Sequence, residues 1–246
     1  MSNEVTETRI TFKSTRSTAS DLTQINFLVL GASGSGKSVF GTSFPAPAFV
    51  FDFDRQIAVY RNTDFEYEQF DNTLAGAKKY KEVLKTVCKD KHFKSVIFDS
   101  LTTLQDLMMT LALGTYLKRT DETNLPLWQS HYPMCRAYMD ADLNLLRSRQ
   151  GYNLATGHIE TIKDEITGQM RVQPSLVGKL ATGITKYFGE CYQTKRSLDK
   201  DNKPKFMLLT RSQGIYDARS NLSGKEGKIP QLVENDFNVI MNYLKI

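Results

Sequence analysis

The chain has 246 residues, with 32 Lys+Arg against 27 Asp+Glu for a net charge of +5, and is 40% hydrophobic and 11% aromatic. This composition excludes a disordered polyelectrolyte and a disulfide-stapled mini-protein, and the length suits one α/β domain with insertions. No leader pattern opens the chain, and no apolar run approaches the roughly 20 residues that a bilayer span requires, so a soluble cytoplasmic protein without a membrane partner is expected.

In chain order, residues 1–21 read as a flexible arm, rich in Thr and Ser, with Arg9, Lys13 and Arg16 and one short strand at Arg9–Phe12. A single domain follows over 22–246. Its strands are expected at Ile25–Leu30, Ala48–Phe51, Ser95–Phe98, Asn153–Ala155 with its neighbours, Phe188–Gln193 and Phe206–Thr210. Its helices are expected at Lys37–Ser43, Thr73–Cys88, Leu101–Leu117 and Leu127–Arg149, with a C-terminal helix over 231–244. Short apolar strands alternating with helical periods predict a mostly parallel twisted sheet, flanked by helices on both faces. The polar turn Lys195–Lys205 predicts an antiparallel hairpin at one sheet edge, and Thr167-Gly168 predicts a second, inserted hairpin over 159–173. Cys88, Cys135 and Cys191 lack zinc-ligand spacing and read as packed free thiols.

Between the first strand and first helix lies Gly31-Ala32-Ser33-Gly34-Ser35-Gly36-Lys37-Ser38, which matches Gly-x-x-x-x-Gly-Lys-[Ser/Thr] in the strand-loop-helix context that motif needs. The glycines let the backbone curl so that successive N–H groups face phosphate oxygens, and the helix adds its positive end. Residues 31–38 with Val39 are therefore the expected nucleotide-binding segment. Lys37 would reach the β and γ phosphates, and Ser38 would hold Mg2+. The strand Ser95-Val96-Ile97-Phe98 ends in Asp99, a Walker B pattern that supplies the second magnesium ligand.

Ser100, not an acid, follows Asp99, so a general base must come from elsewhere. Phe49-Val50-Phe51-Asp52-Phe53-Asp54 carries two acids at its carboxyl end, where an open α/β sheet binds its ligand. Strand alternation would put both on one face, with the outermost, Asp54, reaching furthest toward a water at the γ-phosphate. Either acid could instead cap the helix starting near Arg55. His158, at the end of Ala155-Thr156-Gly157-His158, is placed to sense the γ-phosphate or to serve a structural role.

Val96-Ile97-Phe98-Asp99-Ser100-Leu101-Thr102-Thr103-Leu104 resembles the Walker B strand of RecA-type ATPases, and Asp52-x-Asp54 resembles their second-strand acids, of which the outer is normally Glu. Trp128 with Arg136, Thr156-Gly157-His158, Pro174-Ser175-Leu176-x-Gly178-Lys179 and Thr210-Arg211 extend the similarity over about Ile25 to Leu222. The sequence resembles small phage-encoded RecA-like ATPases of the AAA-type group that act in single-strand annealing and recombination. That resemblance implies a RecA-like P-loop NTPase fold and hydrolysis of ATP with Mg2+, through Lys37, Ser38 and Asp99, with Asp54 as activating acid and His158 as sensor. It implies a ring or filament of copies on single-stranded DNA, in the host cytoplasm, with a single-strand-binding or annealing protein as a further partner. Arg211 or Arg219 could be the finger that a neighbouring copy inserts, or each could be a solvated loop arginine.

The post-sensor segment 159–179 carries Lys163, Arg171 and Lys179, but Glu160, Asp164 and Glu165 cancel them. Lys195 and Arg196, the Lys200–Lys205 turn and the arm are the other candidate DNA contacts. A second reading remains open: a nucleotide-gated switch or assembly protein with slow or no hydrolysis and a protein partner.

Overall fold

The computed structural model of the chain describes residues 24–115, 129–163, 165, 168–224 and 227–244. The expected arm over 1–21, its Arg9–Phe12 strand and Trp128 lie outside the described residues. The elements in order are β1 (Gln24–Leu30), α1 (Lys37–Gly41), β2 (Ala48–Asp52), a 3-10 turn (Ile57–Tyr60), β3 (Phe65–Gln69), α2 (Leu74–Lys89), β4 (Ser95–Asp99), α3 (Leu101–Thr115) and α4 (His131–Ser148). Then follow β5 (Gly151–Gly157), β6 (Ile159–Lys163), β7 (Met170–Pro174), α5 (Lys179–Gly183), a 3-10 turn (Ile184–Tyr187), β8 (Glu190–Leu198), β9 (Pro204–Leu209), β10 (Arg219–Ser220), β11 (Leu232–Glu234) and α6 (Phe237–Leu244).

The main sheet runs β11-β9-β8-β1-β5-β4-β2-β3, with β10 beside β8, and β6–β7 form a separate hairpin. From β8 to β3 every neighbouring pair is parallel. β8 pairs antiparallel with β9 and β10, and β9 pairs antiparallel with β11. The mostly parallel sheet with an antiparallel hairpin is therefore as the residue pattern predicts. Alternate residues of the central strands feed two cores. On one face Leu28, Phe51, Phe98 and Ala155 pack with Tyr80 of α2, Leu104 of α3 and Met139 of α4. On the other, Phe27, Val50, Ile97 and Leu154 pack with Phe40 and Phe44 after the P-loop and with Phe237 and Ile240 of α6. Phe27 lies edge-on to Phe40, Phe44, Tyr192 and Phe237, so one aromatic side chain joins β1, α1, β8 and α6.

Two expectations are corrected. The helix expected over 231–244 begins only at Phe237. Leu232–Glu234 instead pair with the open edge of β9, and the Asp236 side chain then caps the helix by accepting from the N–H of Asn238 at 2.7 Å. The β8–β9 hairpin forms the antiparallel end of the sheet, as expected, with the three-residue β11 added beside β9. Asp52 and Asp54 do not share a strand face. β2 ends at Asp52, and the N–H groups of Phe53 and Asp54 both turn to the Asp99 carbonyl, at 2.7 and 3.2 Å, so the two-residue alternation stops between the acids.

Candidate functional site

Because β1, β2, β4 and β5 are parallel, their carboxyl ends meet at one edge, with Asp52 level with Asp99 and Leu30 level with Gly157. The P-loop leaves β1 there and closes into α1. Its curl uses left-handed backbone at Gly34 (φ 68°) and Gly36 (φ 98°), where an L side chain would be strained. Asn235 fastens the turn from outside by donating to the Gly36 carbonyl at 2.8 Å. Ser35 donates to the Ala32 carbonyl at 2.6 Å and meets the Thr194 hydroxyl at 2.5 Å.

The Lys37 side chain is buried under the loop, where its ammonium donates to the carbonyls of Gly31 (3.1 Å) and Ala32 (2.9 Å) and lies 3.5 Å from His158 Nδ1. Burial lowers its pKa, while the carboxylates of Asp99 and Asp54 oppose that shift. Asp99 is 3% exposed. It accepts from Thr156 at 2.5 Å, from Tyr60 at 3.1 Å and from the Ser38 hydroxyl. Burial raises its pKa despite those three donors, with Asp54 adding to the rise. A Ser hydroxyl and an adjoining carboxylate are hard oxygen donors that suit Mg2+, which keeps waters and takes its remaining ligands from phosphate. Among the described residues no cluster of three or more His, Cys, Asp or Glu side chains could hold a metal unaided.

The two acids of the second strand divide their work. Asp52 is 2% exposed and accepts from the N–H groups of Gln56 (2.9 Å) and Ile57 (3.0 Å) and from Gln69 (2.7 Å), so it caps the first 3-10 turn. Asp54 lines a pocket of about 170 Å³ with Lys37, Ser38, Asp99, His158, Gln56, Val59 and Phe206. One of its oxygens accepts from Ser100 at 3.0 Å and from Thr103, and the other lies 3.6 Å from His158 Nε2. His158 thus stands between Lys37 and Asp54. Its own backbone is fixed on both sides, by the Thr102 hydroxyl (3.1 Å) and by the Ser175 N–H donating to its carbonyl (2.9 Å).

The remaining candidates are dispersed. Arg211 donates to the carbonyls of Gly227 and Ile229, and Arg219 to those of Thr185 and Phe188. Both guanidinium groups are thereby anchored within the chain. Lys163 and Arg171 lie on β6 and β7, and Lys179 opens α5. Arg171 and Arg219 line a second cavity of about 390 Å³, beside Gln193 and Asp217. Lys195 donates to Gln213 at 2.5 Å, and Arg196 reaches toward the P-loop at Gly34. Residue-type reasoning missed Tyr60, Thr194, Phe206 and Asn235, since each arrives from a segment whose motif carries no mark of the site. Among the described residues no helix is long and apolar enough to cross a membrane.

The family described as AAA domain matches residues 23–221, most of the chain. No curated protein matches the sequence. Solved structures similar to this one include that of the RadB recombinase, with 13% identity over 79% of this chain and 84% of that chain at a TM-score of 0.43. Another is the flagellar accessory protein FlaH from Methanocaldococcus jannaschii, with 13% identity over 79% of each chain at a TM-score of 0.37. With a P-loop, a Walker B carboxylate and a facing acid held at one end of a parallel sheet, and with the family match spanning 23–221, the chain belongs to the AAA domain family of P-loop ATPases.

Proposed function

We propose that the protein hydrolyses ATP with Mg2+ and does so as a homo-oligomer on single-stranded DNA, in recombination, annealing or replication. The observation that carries the catalytic part is the convergence of Lys37, Ser38, Asp99, Asp54 and His158 on one pocket. The P-loop N–H groups and Lys37 bind and orient the triphosphate, Lys37 leaving its two carbonyl partners to do so. Mg2+, held by Ser38 and Asp99, would neutralise charge on the phosphate oxygens. Asp54 takes the proton of the attacking water at the oxygen that faces His158. His158 exchanges contacts between Lys37, Asp54 and the phosphate, and passes the difference to the β6–β7 hairpin, which starts at the next residue.

The DNA part is supported by that hairpin, which presents Lys163 and Arg171 directly downstream of His158. The test is the ATPase rate with and without single-stranded DNA, with light scattering in the same buffers. Stimulation by DNA, growth in particle mass and binding that weakens steeply with salt are expected. No stimulation together with no DNA binding at low salt would overturn the DNA reading. One observation favours the switch reading instead: Asp54 is a methylene shorter than Glu, and one of its oxygens is already occupied by two hydroxyls. That reading expects tight ATP binding, little turnover and a protein partner.

A further inference from the structure

The outer half of the β8–β9 hairpin stands beside the P-loop with no part in the chemistry above. β8 pairs with β1 through Gln193, and Thr194–Leu198 then run past the end of β1 alongside the loop. Thr194 joins that extension to the loop through Ser35, and to β1 by donating to the Leu30 carbonyl at 3.3 Å. Two residues on, Arg196 lies directly opposite Phe206 of β9. Opposed residues of an antiparallel pair present their side chains on one face.

Both side chains reach the loop. A Cβ placed on Gly36 would fall 2.6 Å from the Phe206 ring, and one on Gly34 would fall 3.9 Å from an Arg196 guanidinium nitrogen. Phe206 is half-buried and lines the pocket that holds Lys37 and Asp99. The other apolar side chains of that pocket, Val39 and Val59, have no π face. Arg196 is exposed and forms no ion pair among the described residues.

We propose that this hairpin face is the second wall of the nucleotide site: the Phe206 ring stacks on the base, and the Arg196 guanidinium meets the phosphates at the loop apex. The proposal rests on the ATP-binding reading and assigns the nucleotide contacts that the P-loop motif does not supply. Every base has a π face, so the wall accepts adenine and guanine alike. The geometry also explains why glycine is required at position 36 for a second reason besides φ, since any side chain would displace the ring.

Equilibrium titration with ATP, GTP and inorganic tripolyphosphate separates the two roles. Phe206→Leu keeps apolar bulk against Gly36 and removes the π face. It is expected to weaken ATP and GTP roughly 5- to 100-fold while leaving tripolyphosphate affinity unchanged, and Phe206→Tyr is expected to restore nucleotide binding. Arg196→Gln is expected to weaken ATP and tripolyphosphate together, several-fold. If Phe206→Leu weakens tripolyphosphate as much as ATP, the ring merely props the loop and the base contact is overturned. If Arg196→Gln leaves tripolyphosphate affinity intact, the phosphate contact is overturned. If the unaltered protein binds neither ATP nor tripolyphosphate, the ATP reading itself fails, and the wall with it.

Discussion

At the scale of single residues, Asp52 and Asp54 show how two like side chains two positions apart acquire different work from the backbone. Asp52 remains in β2 and turns its oxygens to the amides of Gln56 and Ile57, whereas Asp54 has left the strand and faces His158. Asp54→Asn is therefore expected to lower turnover by about 10²- to 10⁴-fold with ATP affinity held within a few-fold, read by steady-state kinetics beside a binding titration. Full-rate hydrolysis would remove Asp54 from the base role. Asp52→Ala is expected instead to cost about 0.5–2 kcal/mol of stability, measured from the urea midpoint, because it leaves the amides of a 3-10 turn without their acceptor. The P-loop was legible in the sequence because its chemistry is local: left-handed φ at Gly34 and Gly36, and a lysine one step later. The division between Asp52 and Asp54 was not. Counting by two presumes that a strand continues, and here it ends where the Asp99 carbonyl captures the next two amides.

Among elements, the parallel strands and the long helices follow from apolar runs and helical periods, which report burial directly. The elements missed are those that bury little of their own. β3, Phe65-Glu66-Tyr67-Glu68-Gln69, alternates as an edge strand, yet Tyr67 is 52% exposed, so its pattern lacks an apolar face to recognise. β11 is three residues long and exists because β9 offers it an edge. The inner part of β8 follows from its apolar pattern, whereas the outer part that flanks the P-loop, buried at Thr194 and increasingly exposed beyond it, carries Thr, Lys, Arg and Ser and reads as part of a turn. That half is anchored through Thr194, whose hydroxyl contacts Ser35 and the Leu30 carbonyl. Thr194→Val removes both contacts at nearly constant shape and leaves the Ser35 hydroxyl short of one partner. A loss of about 1 kcal/mol in stability is expected, together with faster amide exchange in residues 33–36. Unchanged exchange there would show that the loop is held without β8.

At the scale of the whole molecule, a buried acid ties β8, beyond β1, to the segment that follows β10. Glu190 is fully buried and accepts from Tyr192 at 2.6 Å and from the Leu222 N–H at 2.9 Å, which joins β8 to the segment after β10. Burial raises its pKa in the folded protein, although hydrogen bonds from Ser220, Tyr192 and the backbone oppose the rise. Its contribution to stability is therefore full below the unfolded-state value of about 4.3 and is lost as pH rises through the folded-state value. Unfolding by urea from about pH 4 to about pH 7 should show this decline in the unaltered protein and a flatter profile in Glu190→Gln. Parallel profiles would assign the pH dependence to other groups.

The bond from Asn235 to the Gly36 carbonyl spans 199 positions of sequence, and the aromatic contacts of Phe237 with Phe27 and Phe44 reach back as far. A ribosome releases the P-loop early and its clasp late. During synthesis the loop's glycines and lysine emerge long before Asn235 and Phe237, so the full set of contacts that holds the loop forms only when the chain past Phe237 has left the exit tunnel. Nascent chains stalled ahead of that point would carry the whole P-loop motif without its Asn235 clasp, and weaker ATP binding by them than by the finished chain is expected.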